Sequence, residues 1–107
     1  MLTDADRYQL LRALENNPHL SQRQLAAELG YSLGKLNYCL KALKEMGLLQ
    51  AQTIPDQPRS SMYLYQLTEE GVREKVQAAK RCLDQKLLEK EKLDAVIQQL
   101  RQTIHDA

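Results

Sequence analysis

The chain has 107 residues, a formal net charge of +1, 43% hydrophobic residues, no Trp, no Phe and five Tyr. That length supports one small core rather than two full domains, and a leucine-dominated core suits helix packing better than a β-sandwich. Cys39 and Cys82 lie too far apart for zinc-ligand spacing or a disulfide framework, and no apolar run approaches the roughly 20 residues of a membrane span.

The opening MLTDADRYQLL is acidic and polar, unlike a signal peptide. Two free thiols suit a reducing compartment. A soluble cytoplasmic protein is therefore expected.

Thr3 caps a first helix, with Asp4 and Asp6 in the first turn, where the helix dipole favours acids. Leu10, Leu11 and Leu14 share its inner side, and Asn16, Asn17 and Pro18 stop it. Ser21 opens a second helix, and Gln24 completes a capping box. Leu20 and Leu25 are spaced as a hydrophobic staple, and Gly30 offers a left-handed exit. Ser32 caps a third helix, Tyr31 and Leu36 repeat the staple, and Gly47 ends it. Leu36, Leu40 and Leu43 form its apolar stripe, with Leu40 and Leu43 within about 40° of Leu36 at about 100° per residue.

Residues 48–53 and 62–67 read as two strands, the second alternating in MYLYQL. The segment IPDQPRSS between them has two prolines and predicts a protruding loop. Thr68 caps a last helix with Glu69 and Glu70 in its first turn, and Leu67 with Val72 suggests a third staple. No Pro or Gly follows Gly71, so about 37 residues of helix would extend roughly 55 Å. Heptad spacing places Val72, Val76, Ala79, Leu83, Lys86, Lys90, Leu93, Ile97, Leu100 and Ile104 on one stripe.

Three helices, a hairpin and a long helix predict a mainly α fold with a small β-hairpin wing: a winged helix-turn-helix over 1–67, then a C-terminal dimerisation helix over 68–107. The expected seam residues are Val76, Leu83, Leu93, Ile97, Leu100 and Ile104. Charge agrees modestly with this division. Residues 1–31 carry −1, residues 32–67 carry +2 and residues 68–107 carry zero.

Helical geometry turns Gly34, Tyr38 and Lys41 away from the apolar stripe of the third helix, with Lys35 and Asn37 flanking them. Lysine can donate to guanine or to phosphate, asparagine can pair with adenine, and tyrosine can meet a thymine methyl. Gly34 permits close approach to a groove. Ser21, Gln22 and Arg23 stand at a helix start, where free amides favour anions, although Arg23 equally suits a solvated surface. Arg59, the sole cation of the loop, can enter a minor groove or simply keep the loop soluble. Cys39 reads as a small buried apolar residue. No nucleophile elbow, phosphate loop, carboxylate pair or metal constellation occurs, so neither catalysis nor a cofactor is expected.

SQRQLAAELGYSLGKLNYCLKALKEMGLLQA followed by YQLTEEG resembles the winged-helix domain of MarR-type bacterial regulators over roughly residues 5–75. The phrase SLGKLNYCLKAL looks closest to the small members found beside exopolysaccharide gene clusters. The resemblance implies a homodimer on double-stranded DNA, with Ser32, Lys35, Asn37, Tyr38 and Lys41 at recognition-helix positions. Larger members build a ligand cleft from an N-terminal helix and two C-terminal helices. Here one long helix stands in for that pair, so no small-molecule effector is assigned. The expected function is a dimeric, sequence-specific transcriptional regulator. A winged-helix protein-interaction module assembling through the long helix is the alternative.

Overall fold

A computed structural model describes residues 2–53 and 63–107. Its elements run α1 (Asp4–Asn16), α2 (Gln22–Leu29), α3 (Leu33–Glu45), β1 (Leu49–Thr53), β2 (Tyr63–Leu67) and α4 (Glu69–His105). Arg59 and the loop that carries it lie outside the described residues.

Local signals fix the helix starts. Thr3 Oγ1 accepts the Asp6 N–H at 3.0 Å, and Asp6 Oδ2 accepts the Thr3 N–H at 3.2 Å, closing a capping box on α1. Ser21 and Gln24 close the same box on α2. Ser32 Oγ accepts the Lys35 N–H at 3.1 Å on α3, and Thr68 Oγ1 accepts the Gly71 N–H at 3.0 Å on α4. Gly30, at φ +71°, leaves α2 through the left-handed region, which lets α3 begin after only three intervening residues.

The apolar faces meet in one core. Leu10, Leu11 and Leu14 come from α1, Leu25 and Ala26 from α2, and Leu36, Cys39, Leu40 and Leu43 from α3. Leu48, Leu49 and Tyr65 close the side nearest the hairpin. The strands pair antiparallel in a register running from Leu49 opposite Leu67 to Thr53 opposite Tyr63. A lone hairpin is marginal in water. This one is held because buried Leu49 and Tyr65 join the helical core and β2 lies along α1.

α4 begins against the same corner. The Thr68 N–H donates to the Leu48 carbonyl at 3.1 Å, and the Thr68 hydroxyl donates to the Gly47 carbonyl at 2.7 Å. Gly71 then passes so close that an added Cβ would stand 2.1 Å from the Leu48 oxygen. Beyond it α4 packs antiparallel on α1 through fully buried Ala78. Arg7 meets Glu74 at 3.4 Å, Arg81 meets Asp4 at 2.8 Å, Lys75 pairs with Glu15, and Arg81 also pairs with Glu74. Exposed ion pairs contribute little each, but their spacing fixes which turn of α4 faces which turn of α1.

This packing face differs from the heptad stripe. Taking Ala78 as zero at about 100° per residue, Gly71 lies close by, whereas Val72, Val76 and Leu83 lie about 120–160° around the helix. Val72 is 43% exposed. The small residues Gly71 and Ala78 let α4 approach α1, and the larger aliphatics are left outside. From Leu83 to the end every residue is exposed, and the chain reaches 69 Å along its long axis.

Candidate nucleic-acid interface

α3 divides as its spacing requires. Leu36, Cys39, Leu40 and Leu43 point into the core, while Gly34, Asn37, Tyr38 and Lys41 stand exposed on the other side. Tyr38 is 55% exposed, too open for a core aromatic. A Cβ added at Gly34 would meet nothing within 4 Å, so the backbone there is open to close approach.

The other expected residues gather beside this face in different states. Arg23 is exposed on the first turn of α2. The Ser21 and Ser32 oxygens accept capping amides, but each hydroxyl keeps its own proton for donation. Gln22 Nε2 donates to the Tyr65 hydroxyl at 3.2 Å, tying the start of α2 to the hairpin. Gln22, Asn37, Leu40, Lys41, Lys44, Ala51 and Tyr65 line a shallow hollow of about 230 Å³ between the helices and the strands. Lys44 was not among the residues expected from sequence. It lies three positions after Lys41, a spacing that could have flagged it.

Lys35 is placed otherwise than as a free outward cation. Its ammonium lies 3.3 Å from Asp6 Oδ1 and 4.1 Å from the centre of the Tyr31 ring. The Tyr31 hydroxyl also donates to Asp6. Burial alone would raise the Asp6 carboxyl, but hydrogen bonds from Tyr31, Thr3 and Lys35 outweigh it and hold the group at about 2. Burial beside that carboxylate pushes the Tyr31 phenol up. Burial, reinforced by Asp6, also pushes the Cys39 thiol up, which fits a packing residue rather than a reactive one. Asp6 carried only a helix-start role in the sequence, because its partners lie 25 and 29 positions away.

Among the described residues no group of three His, Cys, Asp or Glu side chains stands together as a metal ion would need, and no helix is long and apolar enough to cross a membrane.

The comparisons agree with this geometry. A sequence model described as winged helix-turn-helix DNA-binding matches residues 7–50. The PcaV transcriptional regulator from Streptomyces coelicolor, solved with its natural ligand, is 27% identical, with a TM-score of 0.68 over 99% of this chain and 77% of that one. Residues 7–50 are a winged helix-turn-helix, and the fold of the chain is similar to that of MarR-family regulators. A MarR-family regulator from Rhodococcus sp. RHA1 superposes with a TM-score of 0.66 at 26% identity, over 92% of this chain and 69% of that one. The transcriptional repressor CouR, bound to a 23-mer DNA duplex, gives 0.60 at 25% identity, over 87% of this chain and 68% of that one. No curated protein sequence matches the chain. In this winged helix, α2 and α3 form the helix-turn-helix, β1 and β2 begin the wing, and the long helix leaves from the wing's second strand.

Proposed function

We propose that this DNA-binding transcriptional regulator reads duplex DNA sequence-specifically, as a homodimer in the cytoplasm. The outer face of α3 enters the major groove. Asn37 and Tyr38 face base edges, Lys41 and Lys44 face the backbone or guanine, and Gly34 lets the helix seat deeply. Ser21, Gln22, Arg23 and Ser32 meet phosphate at the two helix starts. Arg59 serves the neighbouring minor groove. The observation that carries this is the division of α3, whose aliphatic side closes the core while its amide, phenol and lysine side stays open beside the hairpin. The DNA-bound repressor with the same fold supports it.

Dimerisation uses the uncovered stripe of α4 through Val76, Leu83, Leu93, Ile97, Leu100 and Ile104, each exposed in the single chain. Such a row of large aliphatics on a helix with no neighbour calls for a covering partner.

Selection of bound duplexes from a random pool tests the proposal. A recurring two-fold-symmetric motif is expected, with Tyr38→Ala changing the selected bases. Lys41→Met should flatten the dependence of log K on log salt by about 0.9 per protomer, the release of one counterion from each. No enrichment, together with no retardation of any duplex at low salt, would instead favour a protein-interaction module.

A further inference from the structure

Among the described residues Asp6 is the one charged side chain that is buried, at 6% exposure. Its position is odd for a capping carboxylate. Oδ2 serves the α1 cap by accepting the Thr3 N–H, whereas Oδ1 faces α3 and takes both the Tyr31 hydroxyl and the Lys35 ammonium. Lys35 lies on the first turn of α3, beside the exposed Gly34 and Asn37. Lys41 and Lys44 make no ion pair with any described residue. Of the three lysines on α3, the one nearest its N-terminus is therefore neutralised from within the protein. The Tyr31 ring under its ammonium leaves that head less room to swing.

Resting on the DNA-reading function above, we propose that Asp6 is a selectivity-determining residue, an internal stand-in for phosphate that holds Lys35 off the DNA backbone. Backbone contacts supply affinity for every sequence, and base contacts supply choice. A flexible ammonium on the first turn of a groove-reading helix is drawn to the nearest phosphate on any duplex. Pairing it with a fixed carboxylate removes that sequence-blind contribution and leaves discrimination to Asn37 and Tyr38. Asp6 acts through Lys35 and touches no base, so it is a positioning residue.

The test compares full-length wild type, D6N and D6N/K35M on a random duplex and on the selected site, between 50 and 200 mM salt. D6N keeps the shape and an acceptor for Tyr31 but frees Lys35. It should bind random duplex more tightly at low salt, and its log–log slope should steepen by about 0.9 per protomer, about 1.8 for the homodimer, an extra loss of about 12-fold in affinity across that range. Its preference for the selected site over random duplex should fall. D6N/K35M has the net charge of wild type and no released cation, so slope and preference should return to wild-type values. A merely structural Asp6 would weaken binding to both duplexes, and removal of Lys35 would restore nothing; that pattern overturns the proposal, as does an unchanged slope in D6N. If circular dichroism shows D6N unfolded, lysine side-chain NMR of the wild type decides the matter. On addition of random duplex the Lys41 Nζ signal should move and the Lys35 Nζ signal should keep its place, and movement at Lys35 overturns the proposal. Wild type that binds no duplex refutes the DNA-reading function itself, whereas wild type that binds while D6N behaves identically refutes only the role of Asp6.

Discussion

Gly71→Ala sets two effects of opposite sign against each other, and the structure decides between them. Alanine is at most about 1 kcal/mol more favourable than glycine in a helix, and Gly71 is the third residue of α4, so sequence alone predicts stabilisation. The added Cβ, however, would sit 2.1 Å from the Leu48 oxygen and 3.1 Å from its carbon, with the Leu67 Cβ at 3.4 Å. Ordinary contact begins near 3.4 Å, so the carbonyl must retreat by more than an ångström. That oxygen accepts the Thr68 N–H at 3.1 Å, and the retreat breaks the bond. Overpacking costs about 1–3 kcal/mol, and an unsatisfied backbone group costs about 1–3 kcal/mol more. After the propensity gain, the net loss is about 3 kcal/mol. For a domain of this size that lowers Tm by roughly 10–20 °C. Thermal unfolding followed by circular dichroism, at one fixed protein concentration so that assembly does not confound the midpoint, measures it. A variant that melts with or above wild type would refute the close crossing of α4 over the turn that precedes β1.

Gly34→Ala, with open space around the new methyl, should raise stability by about 0.4–1 kcal/mol while weakening duplex affinity; chemical denaturation and a binding titration on the same preparation separate the two effects. Ile97→Asp should turn a dimer into a monomer by light scattering and leave the winged head's melting in place, and a retained dimer mass would move the seam elsewhere. Asp6 is held at about 2 against an ordinary 3.8, so its contribution of about 2 kcal/mol is complete above pH 3.8 and is lost as pH falls toward 2. D6N should therefore show a flatter stability profile than wild type between pH 4 and 2, and parallel profiles would count against that carboxylate's pairing.

Most of the fold was legible because its signals are local. Ser21 with Gln24, Ser32 at its cap and Gly30 in the left-handed region each act within four residues, and the Leu36, Leu40 and Leu43 stripe needs only helical periodicity. Those same signals oriented α3 and so exposed Asn37, Tyr38 and Lys41. What escaped was set by contacts distant in sequence. The heptad pattern marks the aliphatic stripe of α4, but the choice of face against α1 fell to Gly71 and Ala78, whose value lies in being small. Lys35 looked like a free groove cation because nothing nearby in sequence announces Asp6 and Tyr31 as its partners. Gln22 reads as a helix-start residue, and nothing near it in sequence announces that its amide also ties to Tyr65, 43 residues on. Lys44 escaped because its closeness to Ala51 and Tyr65 depends on where the hairpin folds back.

The bare outer reach of α4 ties the order of this protein to its abundance. All 25 residues from Leu83 to Ala107 are exposed, and a solitary helix of that length in water hovers near its coil transition. On the homodimer proposal, pairing supplies both cover and rigidity there, so dilution acts as a denaturant for the tail while the head stays folded. Far-ultraviolet ellipticity would then track concentration, and copy number in the cell would set how many paired readers exist at all.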